Sequence, residues 1–379
     1  MTDNQRILAY LRQHQDDMVA LLVQIVEMES PTSDKASLDR LAAFLAGQAR
    51  ALGAGVQVHE QTEAGNHVLA RWGAGEGGVL LLCHMDTVWD LGTIAARPVR
   101  IEAGKLYGPG AFDMKGGIVN ALWAMRALGE LNLPPKKRVS VIFNSDEETG
   151  THTSRALIEA EALEHQAVFV LEPAQPPHAS LKTWRKGVGG FQVSVTGLAA
   201  HAGADHEKGV NAIQELAYQI LTIQGFTDYQ IGTTLNVGVV GGGTRSNVVP
   251  AEAWAQVDVR VMNLPEAARI EARMQALKPQ LKGATVQVSG GINRPPMVRT
   301  PEIAALYARA EGLAAEMGIQ VSEAGSGGGS DGNFTAALGV PTLDGMGVIG
   351  DGGHALHEHV VISSMPERAA LLAAMIRET

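Results

Sequence analysis

The length, charge and cysteine content of the chain limit the classes of protein to which it can belong. Its 379 residues are more than one typical domain needs, so two domains are the natural expectation. A formal charge of −10 and a pI near 5.6 argue against nucleic acid or an anionic membrane as the main partner. The single cysteine, Cys83, excludes an internal disulfide and favours a cytoplasmic location. We expect its thiol to be buried and structural.

The sequence contains no pattern typical of a membrane span or a secretory signal. No apolar run approaches the roughly 20 residues that a bilayer requires. The N-terminal stretch lacks a basic segment followed by an apolar block, so it is expected to be an amphipathic helix. With 45% hydrophobic and 18% charged residues, the chain can form a large core of the kind found in water-soluble proteins.

The first part of the chain alternates between helical and strand patterns. Helical periodicity covers about residues 5–28 and 37–52, with Ser37 as the expected N-cap and Gly53 as the stop. Short apolar runs at 55–59, 67–72, 79–83, 139–144 and 167–171 predict strands, and helices near 116–129 and 152–160 connect them. Continuous apolarity in the last three strands predicts an α/β fold with a mainly parallel sheet flanked by helices.

From about residue 186 the pattern changes to alternating strands and two helices in the order βαββαβ. This order predicts a small ferredoxin-like α+β domain inserted into the larger fold. After it we expect a helix near 301–317, a strand at 318–323, a helix near 333–338, a strand near 340–344 and a last helix from Ser364. The predicted domains are therefore a discontinuous catalytic domain, 1–184 and 295–379, and an insert, 185–294.

Polar side chains follow three of the predicted buried strands. His84 ends the strand at 79–83, Glu147 and Glu148 follow the strand at 139–144, and Glu172 follows the strand at 167–171. Because open α/β sheets place their sites at the carboxyl ends of strands, these side chains are expected to meet. A solvated acidic turn is the alternative for Glu147 and Glu148.

Two further segments contain metal-ligand residue types. Asp113 lies in the glycine-rich turn GPGAFDMKGG, where its carboxylate could bridge two cations or simply cap the following helix. His354 lies in GGHALHEHV, together with His357 and His359. Two histidines and three carboxylates suit a pair of divalent metals that share one bridging carboxylate. Glu147 is then placed to act as a general base, and Asp86 to orient His84.

Together, the segments HMDTVW, YGPGAFDMKGG, SDEETG, LEP, GLAAHAG and the terminal GGH…E pattern resemble the M20 metallopeptidase family, in particular its glutamate carboxypeptidase branch. The resemblance covers essentially the whole chain. It implies two Zn²⁺ per subunit, with Co²⁺ or Mn²⁺ as substitutes, and a cis bond between Asp113 and Met114. The implied ligands are His84, Asp113 and Glu172 for one ion, and Asp113, Glu148 and His354 for the other. The family pattern of a ligand histidine four residues before a glutamate selects His354, with His357 as the alternative.

The resemblance also implies where a substrate is bound. Arg260 and Asn247 match substrate-contacting positions, and His201 matches a residue that polarises the scissile carbonyl when the domains close. Ser330, in the GGGSDG loop before a helix, is a further candidate for carboxylate binding. The insert would serve as a lid and dimerisation domain of a homodimer, and His201 could act in its own subunit or in its partner's.

The expected reaction is zinc-dependent hydrolysis of the amide bond to a C-terminal amino acid, in a small peptide or an N-acyl amino acid. An N-acyl-amino-acid deacylase or dipeptidase of the same fold is the main alternative. A metal-free relative that keeps only the fold is a third possibility, which the intact ligand set disfavours. A serine hydrolase is disfavoured, because we expect no G-x-S-x-G elbow in this sequence.

Overall fold

The computed structural model describes residues 1–379, which divide into two compact units. The first unit comprises Met1–Trp184, Arg299–Ser326 and Ser330–Thr379. The second comprises Arg185–Val298 with Gly327–Gly329. The second unit is thus an insertion in the sequence of the first. No helix is both long enough and apolar enough to cross a membrane.

Eleven helices alternate with the strands along the chain. In chain order they are α1 (Asp3–Gln13), α2 (Gln15–Glu27), α3 (Lys35–Ala51), α4 (Thr93–Ala96), α5 (Gly116–Glu130), α6 (Arg155–Leu163), α7 (Ala212–Gln224), α8 (Leu264–Gln275), α9 (Pro301–Glu316), α10 (Gly332–Ala337) and α11 (Ser364–Glu378). Of these, α7 and α8 belong to the second unit and the others to the first.

The strands form one large sheet in each unit and several short pairings. In chain order they are β1 (Gly55–His59), β2 (His67–Trp72), β3 (Val79–His84), β4 (Arg100–Glu102), β5 (Lys105–Tyr107), β6 (Val139–Asn144), β7 (Ala167–Val170), β8 (Leu181–Arg185), β9 (Gly187–Thr196), β10 (Ala200–His201), β11 (Thr234–Gly242), β12 (Val248–Val249), β13 (Glu252–Val261), β14 (Thr285–Arg294), β15 (Glu323–Ser326), β16 (Thr342–Leu343), β17 (Gly350–Asp351) and β18 (His359–Val361).

The first unit is built on a six-stranded mixed sheet in the order β1-β2-β6-β3-β7-β16. The pairs β6–β3, β3–β7 and β7–β16 are parallel, whereas β1–β2 and β2–β6 are antiparallel. The expected α/β class is confirmed, with antiparallel strands along one edge of the parallel centre. Every residue of β3, β6 and β7 is buried, as the continuous apolar runs predicted.

Helices cover both faces of this sheet. The larger core joins one face to α1, α2, α3, α5 and α11, and the last two of these helices are buried over most of their length. A smaller core on the other face contains Leu80, Leu82 and Ile142 of the sheet with Ile158 and Ala162 of α6. Since both faces are covered, the carboxyl ends of β3, β6 and β7 are where polar side chains can gather.

The second unit contains a four-stranded antiparallel sheet in the order β11-β13-β9-β14. Its elements follow one another as β9, α7, β11, β13, α8 and β14, which is the βαββαβ order predicted from the sequence. Its core joins one face of the sheet to α7 and α8, through residues such as Val193, Leu216 and Ile270. The alternating burial along β9 and β13 follows from this one-sided packing.

Three local predictions were wrong. The predicted helix over 5–28 is two helices that meet at His14, whose φ of −102° and ψ of 18° interrupt the helical path. The N-cap of α3 is Asp34, which accepts a hydrogen bond from the Ser37 amide, so Ser37 lies inside the helix. The strand predicted at 318–323 begins at Glu323 and pairs with β8.

Candidate metal centre

Three parallel strands bring the predicted ligands to one edge of the sheet. His84 is the last residue of β3 and lies opposite Asn144, the last residue of β6. Glu147 and Glu148 follow in a single turn of 3₁₀ helix, Glu147–Thr149. Glu172 comes just after β7, whose Val170 lies opposite Leu82. The convergence predicted from the strand ends is therefore observed.

The first ligand group consists of His84, Asp113 and Glu172. His84 Nε2 lies 3.2 Å from Asp113 Oδ1 and 3.4 Å from Glu172 Oε1. The His84 side chain is only 2% exposed, so this group is closed to solvent on the imidazole side. On the other side of the ring, His84 Nδ1 lies 3.0 Å from the carbonyl oxygen of Asp86.

The second ligand group consists of Asp113, Glu148 and His354. His354 Nε2 lies 3.4 Å from Asp113 Oδ2 and 3.2 Å from Glu148 Oε2. The His354 side chain is 52% exposed, in contrast to that of His84. Asp113 thus faces one group with each carboxylate oxygen, which is the bridging arrangement expected from the sequence.

The spacing and charge of these donors fit divalent cations. Around a tetrahedral ion with bonds of about 2.0–2.2 Å, neighbouring donor atoms stand roughly 3.3–3.6 Å apart. In each group the donor atoms all lie within 4.8 Å of one another. The buried Oε1 of Glu148 has no hydrogen-bond partner, so this carboxylate has unused ligand capacity. Nitrogen and oxygen donors of this kind suit zinc and its neighbours among the divalent metals.

The carboxylates of both groups favour the charged form of the histidines. Burial disfavours the imidazolium form of His84, but hydrogen bonds to Asp113, Asp86 and Glu172 outweigh it and raise the pKa of His84. Hydrogen bonds to Asp113 and Glu148 raise the pKa of His354 to about 11. Burial raises the pKa of Glu148. Both groups therefore favour a positive charge beside their carboxylates, which bound divalent cations would supply.

Asp86 connects the two strand ends. Its carboxylate accepts hydrogen bonds from the amides of Glu147 at 3.3 Å and Glu148 at 3.1 Å, and from the Thr32 hydroxyl at 2.8 Å. The nearer acceptor for His84 Nδ1 is the Asp86 carbonyl, since Oδ1 is 3.5 Å away. Asp86 therefore holds the turn that carries Glu147, in addition to facing His84. Glu147 itself is half-buried beside the ligand groups.

The loop that carries His354 depends on glycine. His354 has a φ of 62°, and Gly352, two residues earlier, has a φ of 82°. A Cβ on Gly353 would lie 3.4 Å from Asp113 Oδ2, so the backbone approaches the shared carboxylate closely. His357 and His359 belong to neither ligand group. His359 is a buried strand residue whose Nδ1 contacts the His357 carbonyl.

The turn that carries Asp113 contains a cis peptide bond between Asp113 and Met114, as the resemblance implied. A residue to which the sequence analysis gave no role contacts this turn. Glu358 is fully buried and accepts hydrogen bonds from the amides of Gly110, Phe112 and Asp113. The sequence showed this glutamate only as the fourth residue after His354, with nothing to indicate its partners.

Two of the predicted substrate residues lie next to each other in the second unit. His201 ends β10 and pairs with Val248 of β12, directly after Asn247. The amide of Ala202 donates to the Asn247 carbonyl at 3.0 Å. His201 Nδ1 accepts from the amides of Gly203 and Ala204, at 3.1 and 3.0 Å. Because Nδ1 is an acceptor, the neutral ring has its proton on Nε2.

The other two predicted substrate residues already have polar partners. Arg260 of β13 forms a two-point ion pair with Asp258, with Nε and Nη2 each 2.9 Å from a carboxylate oxygen. Ser330 is fully buried and donates its hydroxyl to Asp344 at 2.6 Å. Residues 328–332, GGSDG, do fit the G-x-S-x-G spacing of serine hydrolases. The hydroxyl of Ser330, however, is engaged with a carboxylate and not with a histidine.

Comparison with known proteins agrees with this site. Residues 80–378 match the family described as peptidase family M20/M25/M40. Carboxypeptidase G2 of Pseudomonas sp. (strain RS-16) is 31% identical over 371 residues, covering 96% of this chain and 89% of that protein. Acetylornithine deacetylase of Salmonella arizonae is 33% identical over 258 residues, 62% of this chain and 65% of that one.

Solved structures show the same fold. The aminopeptidase PepT of Bacillus cereus superposes with a TM-score of 0.79 at 25% identity, over 96% of this chain and 98% of that one. Ligand geometry, sequence identity and fold lead to one assignment. The chain belongs to peptidase family M20/M25/M40 and is a metallo-exopeptidase or amidohydrolase of that family.

Proposed function

We propose that the protein hydrolyses the amide bond to a C-terminal amino acid, in the manner of a glutamate carboxypeptidase, with two zinc ions per subunit. The observation that carries this proposal is the pair of ligand groups that share Asp113. The similarity to carboxypeptidase G2 over almost the whole chain supports the choice of reaction. Co²⁺ or Mn²⁺ would fit the same nitrogen and oxygen donors.

Glu147 is the general base in this proposal. Bound divalent cations supply Lewis acidity and lower the pKa of water. The amide of Glu147 is held by Asp86, and the Glu147 carboxylate is close enough to His84 for their charges to interact. Glu147 accepts a proton from the attacking water and returns it to the amine nitrogen as the C–N bond breaks.

His201 is assigned to the carbonyl oxygen of the scissile bond. Its Nδ1 is occupied by the amides of Gly203 and Ala204, so Nε2–H is the group left to donate. A neutral donor aimed at the developing oxyanion stabilises the transition state more than the ground state. The tautomer fixed by these two amides is what supports this role.

Arg260 is assigned to the free carboxylate of the substrate, with Asn247 and Ser330 as further contacts. Arginine binds a carboxylate through two parallel hydrogen bonds, and the pair of Arg260 with Asp258 has this form. The ion pair with Asp258 supports the assignment, because the guanidinium donates both hydrogen bonds to a carboxylate there, and Asp258 also competes with any substrate for the same donors. We expect Arg260→Ala to raise KM for substrates with a free C-terminus far more than it lowers kcat.

The test of the reaction is a substrate screen of the metal-loaded enzyme. Folate-like glutamyl amides, dipeptides and N-acetyl amino acids would be compared by kcat/KM for the wild type and for Arg260→Ala. We expect the glutamyl amides to be the best substrates and to lose the most with the variant. Strong preference for one acyl group with any amino acid leaving group would overturn the carboxypeptidase assignment.

That contrary outcome would favour the alternative, an N-acyl-amino-acid deacylase or dipeptidase. The similarity to acetylornithine deacetylase of Salmonella arizonae supports this second candidate. The fold is also shared with human carnosine dipeptidase 1, at a TM-score of 0.68 and 16% identity. A relative without metal is disfavoured by the complete set of ligands, and metal analysis of the purified protein tests it directly.

We further propose a homodimer formed through the insert. Strand β11 is an edge of the insert's sheet, and its Val239 and Val240 are exposed. Leu221 of α7 is also exposed, at 73%, and would add apolar surface to such an interface. Light scattering should give the mass of two chains, and the mass of one chain would contradict the proposal. The cytoplasmic location stays a prediction from composition.

Mixed dimers would show which subunit's His201 acts at a given site. Glu147→Gln and His201→Ala would be purified separately and then mixed under exchange conditions. If His201 acts in the partner's site, the mixed dimer contains one site with both Glu147 and His201, and activity returns. If His201 acts in its own subunit, every site lacks one of the two, and the mixture stays inactive.

A further inference from the structure

A buried carboxylate outside the proposed chemistry lies against the turn that carries Asp113. Glu358 Oε2 accepts from Trp89 Nε1 and from the Gly110 amide, each at 2.9 Å. Its Oε1 accepts from the amides of Phe112 at 3.0 Å and Asp113 at 3.1 Å. The residue is 0% exposed. All four donors are neutral N–H groups, so they satisfy the carboxylate without an ion pair.

These bonds fix a turn that is not held by regular structure. Asp113 and Met114 have non-helical backbone angles, and Asp113 lies just before α5. Three amides within four residues, Gly110 to Asp113, donate to the one carboxylate. Without an acceptor at this position, buried N–H groups would be left unpaired, at a cost larger than that of one ordinary hydrogen bond. The position of the shared ligand Asp113 therefore depends on Glu358.

The same residue closes the turn that carries His354. The Ala355 amide donates to the Gly352 carbonyl at 2.8 Å, and the Glu358 amide donates to the Ala355 carbonyl at 3.0 Å. A Cβ on Gly352 would come within 2.9 Å of the Glu358 nitrogen, so the two ends of the turn are in direct contact. Glu358 thus joins the backbone of one ligand, His354, to the backbone of another, Asp113.

We propose that Glu358 is a positioning residue for the ligand group of Asp113, Glu148 and His354. The inference rests on the proposed metal-dependent function and goes beyond it, because Glu358 belongs to neither ligand group and its carboxylate is bound by four N–H donors. The first group depends less on Glu358, since His84 is part of β3 and Glu172 is the second residue after β7. One carboxylate thereby controls the more exposed half of the centre.

The test is Glu358→Gln in the full chain, with the metal affinity measured in two steps. Glutamine keeps the size of the side chain, but its NH₂ group would face N–H donors on one side of the cradle. Metal-stripped protein would be titrated with Zn²⁺ against a chromogenic chelator, and with Co²⁺ while its visible absorption is recorded. We assign the weaker of the two binding steps to the group of His354, whose side chain is half-exposed. We expect this step to lose about 10- to 100-fold in affinity, with a changed Co²⁺ spectrum, while the stronger step changes far less.

Glu215→Gln is the matched control. Glu215 is also fully buried, and its carboxylate accepts from the amides of Gln280 and Leu281 and from the Gln219 side chain, all in the insert. The Glu215→Gln substitution removes a buried carboxylate that also binds backbone amides, but at a place with no metal ligands. The metal affinities of Glu215→Gln in both binding steps should equal those of the wild type. If Glu215→Gln weakens metal binding as much as Glu358→Gln does, the effect is general destabilisation and the proposal fails.

A milder variant covers the case in which Glu358→Gln does not fold. Trp89→Phe removes one of the four donors to Glu358 and leaves the carboxylate and the three amides in place. We expect a few-fold loss at the same weaker step. Unchanged affinity at that step in a folded Glu358→Gln, or in Trp89→Phe if the first variant is unfolded, would overturn the proposal. Neither titration contains substrate, so a wrong reaction assignment would leave these results unaffected.

Discussion

The two ligand groups share one carboxylate and differ in almost everything else. In the first group the His84 side chain is 2% exposed and forms the end of a buried strand. In the second group the His354 side chain is 52% exposed and lies in a loop with positive φ angles. The two halves of the proposed binuclear centre are therefore supported in different ways. The core of the protein positions one half, and hydrogen bonds between loops position the other.

This difference has a consequence for metal exchange. An ion in the first group would be held by His84 at the end of β3, by Glu172 shortly after β7 and by Asp113. An ion in the second group would be held by two loop residues and Asp113, with solvent on one side. We therefore expect the second group to be the weaker and the faster to exchange.

Asp113→Asn should have the largest effect, because it is the one change that affects both groups. An amide presents only one oxygen as an acceptor, so it cannot serve the first group through Oδ1 and the second through Oδ2. We expect activity to fall to background and metal content to drop at both positions. Metal analysis of the purified variant checks this, and two retained ions would mean that Asp113 is not shared.

The two histidine variants should separate the groups. In the metal-free protein, His84→Ala leaves buried carboxylates without their cation, and we expect the free energy of unfolding to fall by about 3–5 kcal/mol. His354→Ala removes a half-exposed partner and should cost less than about 1 kcal/mol. Chemical denaturation of both metal-free variants measures this difference. Equal losses would show that the two halves are equally built into the core.

Limited chelation should remove the two ions in order. With a small excess of chelator, native mass spectrometry should show a species with one ion accumulating before the metal-free protein. Mutation of His354 should abolish the two-ion species and leave one tightly bound ion, while mutation of His84 should leave only the weakly held ion. Loss of both ions in a single step would contradict the unequal halves.

A buried carboxylate far from the centre should show a smaller and purely structural effect. Burial alone would raise the pKa of Glu161, but hydrogen bonds from Arg71 and Ser140 outweigh it and lower the pKa. The folded-state pKa is below the ordinary 4.5, so the stabilisation is present above that pH and is lost as the pH falls through the lowered value. Glu161→Gln should cost about 1–3 kcal/mol near neutral pH and less in acid.

The measurement for Glu161 is denaturation of the metal-free protein at several pH values, for the wild type and the variant. The difference between them should shrink as the pH falls below about 4.5, while metal affinity at neutral pH stays unchanged. A change in metal affinity would show that the effect reaches the centre. The ligand groups would then not be independent of the core around Glu161.

The sequence predicted that His84, Glu148 and Glu172 lie at one edge of the sheet, because strand ends are visible in it. Long apolar runs end at His84, before Glu147 and before Glu172, and parallel pairing must bring such ends together. The positions of Asp113 and His354 were harder to predict, since a turn sequence alone does not reveal where in the fold the turn lies. For His354 the choice over His357 came from a resemblance to a family, and the structure places His354 beside Glu148.

What the sequence could not show were contacts between distant segments. The partners of Glu358 come from residues 89, 110, 112 and 113, a separation of about 250 residues that no local pattern reveals. The pairing of Arg260 with Asp258 also needed side-chain positions. Errors in element boundaries had local causes, such as the Asp34 side chain that displaces the expected cap at Ser37.

The most direct test of the whole account is Glu147→Gln, with metal content and turnover measured on the same sample. The variant keeps all five ligands and the hydrogen bond from the Glu147 backbone amide to the Asp86 carboxylate, and removes only the basic carboxylate. For Glu147→Gln we predict two ions per chain and a loss of about 10²- to 10⁴-fold in kcat. Near-native turnover with two bound ions would contradict it.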